Sequence, residues 1–264
     1  MPMKTDMLWQ RIQEEARQAV MQEPSMADFY QQEILDFDDL ASALAHRLGR
    51  LLASPTMSVS QIADICCGVF QQTPAVIEDG AADIEAYVER DAACDHYSMP
   101  LLYFKGFHAL QAYRVAHQLW VQGRRVLALF FQNAISQTFA VDIHPAARIG
   151  KGIMIDHATG VVIGETAVVE DNVSMLHGVT LGGVGTDCGK DRHPKIRQGV
   201  LISTGANVLG CVEVGEGAKI GAGSLVLKDV PPHTTVAGVP AKIVGKPAVE
   251  LPALGMDHQL GDND

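Results

Sequence analysis

Two hydrophobic periods divide this chain. Up to about residue 140 the apolar positions follow a helix: Leu8, Ile12, Ala16 and Val20 step by four, and Phe107, Leu110, Ala116 and Trp120 keep one helical face apolar. Gly123 reads as a break before a second helix rich in Val126, Leu127, Leu129, Phe130 and Phe131. Pro24, Pro55, Pro74 and Pro100 read as separators between helices, where a missing N–H does least harm. The pattern predicts a bundle of six to eight helices over residues 1–140.

From residue 141 the period is six. Stepping from Ile143 gives Ile149, Ile155, Val161, Ala167, Val173 and Val179; the series then jumps to Ile196 and continues through Ile202, Val208, Val214, Ile220 and Val226. All thirteen positions are aliphatic, against a background that is 47% apolar. Such a run arises by chance about once in twenty thousand. Ordinary strands alternate at two, whereas a locked period of six builds a left-handed parallel β-helix: three short strands per triangular coil of eighteen residues, with one aliphatic side chain of each hexad pointing into the prism. Gly150, Gly160, Gly164, Gly215, Gly221 and Gly223 suit its corners. The eleven-residue interruption from Gly185 to Lys195 reads as an ejected loop, and it is polar, with Asp187, Lys190, Asp191, Arg192, His193 and Lys195. The expected class is therefore α+β: a helical domain over 1–140, a left-handed β-helix over 141–247 with one ejected loop at 185–195, and a polar, flexible tail over 248–264.

Composition narrows the partners. The formal charge is −11 over 264 residues, which argues against a binder of nucleic-acid backbone. Five cysteines (Cys66, Cys67, Cys94, Cys188 and Cys211) form no CxxC pair and fit a reducing compartment. Neither a signal peptide nor a membrane-spanning run is legible, so the cytoplasm is the expected location. His144, His157 and His177 occupy different places within their hexads, which argues against a converging zinc site and against a carbonic-anhydrase-like chemistry. Cys188 has no base assigned to it and reads as an incidental thiol.

A β-helix does not by itself specify a function. The specific residues are RDAACDHYSMPLLYFKGFHALQAYR (90–114), VDIHPAARIGKGIMIDHATGVVIGETA (141–167), VTLGG (179–183), DRHPKIRQG (191–199), GAKIGAGS (217–224) and PPHTTVAGVPAKIVGKP (231–247). Together they resemble the serine acetyltransferases, over about residues 5–247. The resemblance implies acetyl transfer from acetyl-CoA to the hydroxyl of serine, on the route to cysteine. It makes His157 the general base, and Asp142, fifteen residues earlier and close to one coil back, its orienting partner. It gives Arg192 and His193 to the substrate carboxylate, and Asp91 and Asp156 to the ammonium. Glu165 is a weaker member of the polar surround, and His144 reads as structural. Gly182, Gly183, Thr204, Lys219, Gly221 and Ala222 match positions along the acetyl-CoA arm, and Lys219, Lys242 and Lys246 form a local basic cluster for its nucleotide end. No metal is expected. The alternatives are a hexapeptide acyltransferase with a homoserine or sugar acceptor, and a non-catalytic scaffold.

The resemblance also implies a homo-hexamer, two trimers joined through the helical domains with sites between neighbouring prisms, and feedback inhibition by cysteine. One departure stands out. Family tails end in an isoleucine that enters O-acetylserine sulfhydrylase, whereas this tail carries Asp257 and Asp262 and ends in Asn263-Asp264, which argues against that complex.

Overall fold

The computed structural model describes residues 4–185 and 191–260. Among the described residues eight α-helices lie ahead of the first strand: α1 (Thr5–Gln22), α2 (Ala27–Tyr30), α3 (Leu40–Leu52), α4 (Val59–Gln72), α5 (Ala75–Arg90), α6 (Ser98–Tyr103), α7 (Lys105–Val121) and α8 (Arg125–Phe139). Their starts are set locally. Asp39 caps α3 by accepting from the Ser42 amide at 2.8 Å, and Ser58 with Gln61 forms a complete capping box on α4. Gly123 lies between α7 and α8 as the pattern predicts, whereas Pro100 sits inside the first turn of α6, where the helix needs no N–H from it. Leu8, Ile12 and Ala16 are fully buried. Among the described residues no helix is long and apolar enough to cross a membrane.

The chain then winds through three sheets. The first holds β1 (Asp142–Ile143), β4 (Val162–Ile163), β7 (Thr180–Gly182), β10 (Asn207–Leu209) and β13 (Leu225–Val226). The second holds β2 (Arg148–Ile149), β5 (Val168–Val169), β8 (Lys195–Ile196) and β11 (Glu213–Val214). The third holds β3 (Met154–Ile155), β6 (Ser174–Met175), β9 (Leu201–Ile202), β12 (Lys219–Ile220), β14 (Thr235–Ala237) and β15 (Lys242–Gly245). Every pairing is parallel except β14 with β15. This is the left-handed hexapeptide prism, with strands of two to four residues and the turns at three edges.

The period of six holds, but its phase does not. Ile143 pairs with Ile163 across twenty residues, and Ile163 with Leu181 across eighteen. The inward strand positions of the second coil are thus Ile163, Val169, Met175 and Leu181, two residues later than a strict count by six. Val161, Ala167, Val173 and Val179 are buried as well, at the corners. Two residues are inserted between β3 and β4. Val169 pairs with Ile196 across twenty-seven, so the ejected loop adds nine residues to a coil rather than eleven, and Lys195 already belongs to β8.

The three edges have different surroundings. The edge between the second and third sheets lies against α5. Arg90 donates to the Gly152 carbonyl at 2.9 Å, and Asp83 accepts from the Ile153 amide at 2.9 Å. Asp83 also takes Arg114 at 2.7 Å and Gln111 at 2.8 Å, all of them buried. One continuous apolar core runs from the helices into the prism. The expected flexible tail instead packs on the prism up to residue 260, starting at this edge and crossing the third sheet to Ser203 and Lys219. A short helix α9 (Pro252–Gly255) buries Ala253, whose carbonyl accepts from the Ser174 hydroxyl at 2.9 Å. Apolar Leu251, Pro252 and Ala253 supply the burial that makes this part of an otherwise polar segment adhere. Asp262, Asn263 and Asp264 lie outside the described residues, as do Asp187, Cys188 and Lys190.

Candidate active site at the prism edges

The two-residue insertion falls at Asp156–Gly160, on the edge between the third and first sheets. It is accommodated by two consecutive non-glycine residues in the left-handed region, His157 at φ 55° and Ala158 at φ 54°. Each costs roughly 1–2 kcal/mol of backbone strain. The turns are tight: the Ala158 amide reaches the Asp156 carbonyl at 2.6 Å, and the Thr159 amide reaches the His157 carbonyl at 2.6 Å. The result is a bulge that lifts the His157 side chain out of the prism wall, where it is 73% exposed. Its Nε2 lies 3.6 Å from Asp156 Oδ2.

A cavity of about 520 Å³ opens in front of this bulge, and Asp91, Asp156 and His157 line it together with Tyr87, Phe104, Lys105 and Thr159. Asp91 ends α5 and accepts from the Ala93 amide at 2.9 Å, so one oxygen caps a turn while the side chain still faces the cavity. Asp91 and the adjacent pair Asp156–His157, far apart in sequence, therefore line the same cavity. A larger cavity of about 860 Å³ lies among α1, α3, α4 and α5 and holds none of them.

Asp142 opens β1 at the same edge one coil below, with its amide bonded to the Val161 carbonyl at 2.9 Å. Within this chain it makes no hydrogen bond or ion pair with His157. Its Oδ1 accepts from Gln132 at 2.7 Å. The inserted pair lengthens the coil, so the residue stacked on Asp142 is Val162, not His157. His177 was expected to point away from His157, yet the two rings stand 5.8 Å apart, because twenty residues is one lengthened coil. The His177 Nδ1 is buried without a partner. Among the described residues no group of three or more His, Cys, Asp or Glu side chains could hold a metal ion.

Arg192 and His193 sit elsewhere, on the edge between the first and second sheets. Arg192 Nη2 pairs with Glu165 at 3.2 Å, both side chains being half exposed. Glu165 thus has a definite role in this group, holding the guanidinium. His193 Nδ1 accepts from the Thr166 amide at 3.1 Å, which leaves Nε2 to carry the proton of the neutral ring. The ring lies over Gly164, where any Cβ would fall 2.0 Å from it, so no other residue fits there. Burial and then the Arg192 charge hold His193 below the usual imidazole range, against the pull of Glu165. His144 is held down chiefly by burial, while Glu165 and Asp142 oppose that shift. Residue order along the chain hides this split, because His157 and Arg192 occupy different corners of the triangle.

The residues expected along the acetyl-CoA arm divide in the same way. Thr204, Gly221 and Ala222 line up on the His157 edge above the bulge, whereas Gly183 lies beside Arg192 and Gly182 ends β7 just before it. The local basic cluster expected of Lys219, Lys242 and Lys246 is divided by burial. Lys219 is 2% exposed, its ammonium bonded to the Gln259 carbonyl and 3.6 Å from Asp257. His258 Nδ1 of the same segment is hydrogen-bonded to the Ser203 hydroxyl at 2.9 Å. The tail therefore covers this lysine, while Lys242 and Lys246 remain exposed.

A hexapeptide prism with a histidine lifted from one edge into a carboxylate-lined cavity defines a member of the hexapeptide transferases. The family model "Bacterial transferase hexapeptide (six repeats)" matches residues 193–228, and "Serine acetyltransferase, N-terminal" matches residues 8–112. The serine acetyltransferases of Salmonella typhimurium strain LT2 and Escherichia coli strain K12 are each 56% identical over 255 residues, which is 97% of this chain and 93% of theirs. The crystal structure of serine acetyltransferase from Vibrio cholerae superposes with a TM-score of 0.95 at 57% identity, covering 97% of this chain and 99% of that one. Two further serine acetyltransferase structures, one a complex with cysteine and one a complex with CoA, have TM-scores of 0.93 and 0.88 at 50% and 51% identity, covering 96% and 91% of this chain and 98% and 100% of theirs. The chain belongs to the serine acetyltransferase family, and it is an acyltransferase.

Proposed function

We propose that the protein transfers the acetyl group of acetyl-CoA to the hydroxyl of L-serine through His157. The observation that carries this reading is the 520 Å³ cavity that gathers Asp91, Asp156 and His157. His157 takes the serine hydroxyl proton as the oxygen attacks the thioester carbonyl carbon. The tetrahedral adduct then collapses, the C–S bond breaks, and the imidazolium returns the proton to the leaving thiolate. Asp142, freed from Gln132, is the partner that orients the imidazole.

Serine arrives as a zwitterion, and the two edges suit its two charges. Asp91 and Asp156 take the ammonium, while Arg192 and the Nε2–H of His193 take the carboxylate. Because these groups lie at different edges of one prism, the complete site forms where the His157 edge of one copy meets the Arg192 edge of the next. Gly182, Gly183, Thr204, Gly221 and Ala222 then line the two sides of a groove for the pantetheine arm, with Lys242 toward the nucleotide end and Lys219 joining it only once the segment around Gln259 leaves it. Head-to-tail contacts of this kind close into a ring, here a trimer, and pairs of trimers meet through the helical domain. The helical domain spans 1–140 and the transferase domain 141–247, and the cytoplasm is the setting.

Cysteine differs from serine by a thiol for a hydroxyl and meets the same charged groups, so it competes with serine. The deciding assay follows thiol release from acetyl-CoA against serine, homoserine and galactosides; release that depends on serine alone supports the reading, and preference for a sugar overturns it.

A further inference from the structure

Among the described residues that line the cavity beside His157, Lys105 is the single lysine or arginine, set against Asp91 and Asp156. It opens α7, and the glycine after it fixes where that helix can start: a Cβ on Gly106 would fall 2.0 Å from the Ile155 carbonyl oxygen and 2.9 Å from the Tyr87 hydroxyl. The α7 backbone thus rests directly on the end of β3, one residue ahead of the bulge. From that base the Lys105 ammonium donates to the Thr159 hydroxyl oxygen. That hydroxyl donates in turn to the His157 carbonyl at 3.4 Å, the same oxygen that accepts the Thr159 amide.

We infer that Lys105 is a positioning residue for the base: through Thr159 it clamps the left-handed pair His157–Ala158 and fixes where the imidazole stands relative to the serine hydroxyl. The relay has consistent polarity, ammonium to hydroxyl to carbonyl, and a relay of this kind is strengthened by its charged first donor. The bulge has two strained residues and an exposed histidine; its backbone is tied from the Gly160 amide to the Ala140 carbonyl at 2.7 Å and from the Gly178 amide to the Thr159 carbonyl at 2.8 Å, and Lys105 adds a side-chain tether from α7. A solvated surface lysine would have no need of a backbone-buttressed start or of a bond to the bulge. The inference rests on His157 being the base, and its test has one readout that does not depend on activity.

Lys105→Met is expected to lower kcat for serine acetylation by about 10- to 100-fold, the penalty of a misplaced reacting group, with both Michaelis constants little changed. Lys105→Arg should recover most of the rate. Thr159→Val should match Lys105→Met, Thr159→Ser should not, and the double variant Lys105→Met/Thr159→Val should fall no further than either single change. Hydrogen exchange of the Ala158 and Thr159 amides should accelerate in Lys105→Met, with the rest of the prism unaffected. Unchanged exchange there overturns the clamp whatever the activity. With an active wild-type enzyme, an unchanged kcat overturns it too, and a rise in the serine KM alone would make Lys105 a carboxylate ligand instead. A wild type that releases no thiol with serine while the exchange result holds would sink the functional reading and leave the clamp standing.

Discussion

Asp83 offers the most demanding test of how the helices hold the prism. Its carboxylate is fully buried and takes four donors: Arg114 through Nε at 3.1 Å and Nη2 at 2.7 Å, Gln111 at 2.8 Å, and the Ile153 amide at 2.9 Å. Asp83→Asn keeps the volume but removes the charge, and the amide must turn one N–H toward donors. Removing one partner of a buried ion pair costs about 3–5 kcal/mol, because the remaining charge is left without compensation. Here Asp79 stays 3.5 Å from Arg114, so the lower end, about 3 kcal/mol, is expected. For a chain of this size that lowers Tm by about 6–12 °C. Scanning calorimetry of Asp83→Asn beside Glu14→Gln measures it. Glu14 pairs with Arg17 at 3.7 Å with both side chains half exposed, so its loss should move Tm by no more than about 1–2 °C. Equal shifts in the two variants would refute the reasoning, since burial would then have contributed nothing.

Two further outcomes are expected. His157→Ala and Arg192→Ala should each lower turnover, the first by about 10²–10⁴; yet mixing the two chains by unfolding and refolding together should restore roughly a quarter of wild-type activity, because a quarter of randomly paired edges are intact on both sides. Failure to recover any would place the whole site within one chain. His108 donates from a buried ring to the Leu101 carbonyl at 2.7 Å, and burial pulls its pKa from 6.5 to about 4. The unfolded chain therefore binds the extra proton first, so stability is complete above about pH 6.5 and falls as the pH drops toward 4, by about 3 kcal/mol in total. In His108→Gln, urea titrations across that window should lose much of this slope, and an unchanged slope would show that His108 does not govern it.

The prism was legible because its inward side chains must be aliphatic at every sixth place. The slip was not, for a physical reason. Each corner also buries an apolar side chain two places before the strand position, as in Val161 with Ile163 and Val173 with Met175, so a count by six runs on over the insertion without meeting a polar residue. The two missing residues were then charged to the loop. His157, Asp91, Asp156, Arg192 and His193 were legible from motifs, but not their division between two edges, which depends on the triangular section. Lys105 carries no mark in a helical stretch, since what singles it out is Gly106 pressed on Ile155. The tail reads as polar from its charges, and only Leu251 to Ala253 hint that it adheres.

The insertion at Asp156–Gly160 and the loop after Gly183 have one property in common. In both, the strands on either side resume their pairing without distortion, since Asp142 still meets Val162 and Val169 still meets Ile196. The ladder and the corner are thus mechanically separate, and chain length can be added at a corner without re-registering a single strand. A prism of this kind can acquire or change a reaction by inserting residues at its corners, while the aliphatic column that carries its stability is left as it was.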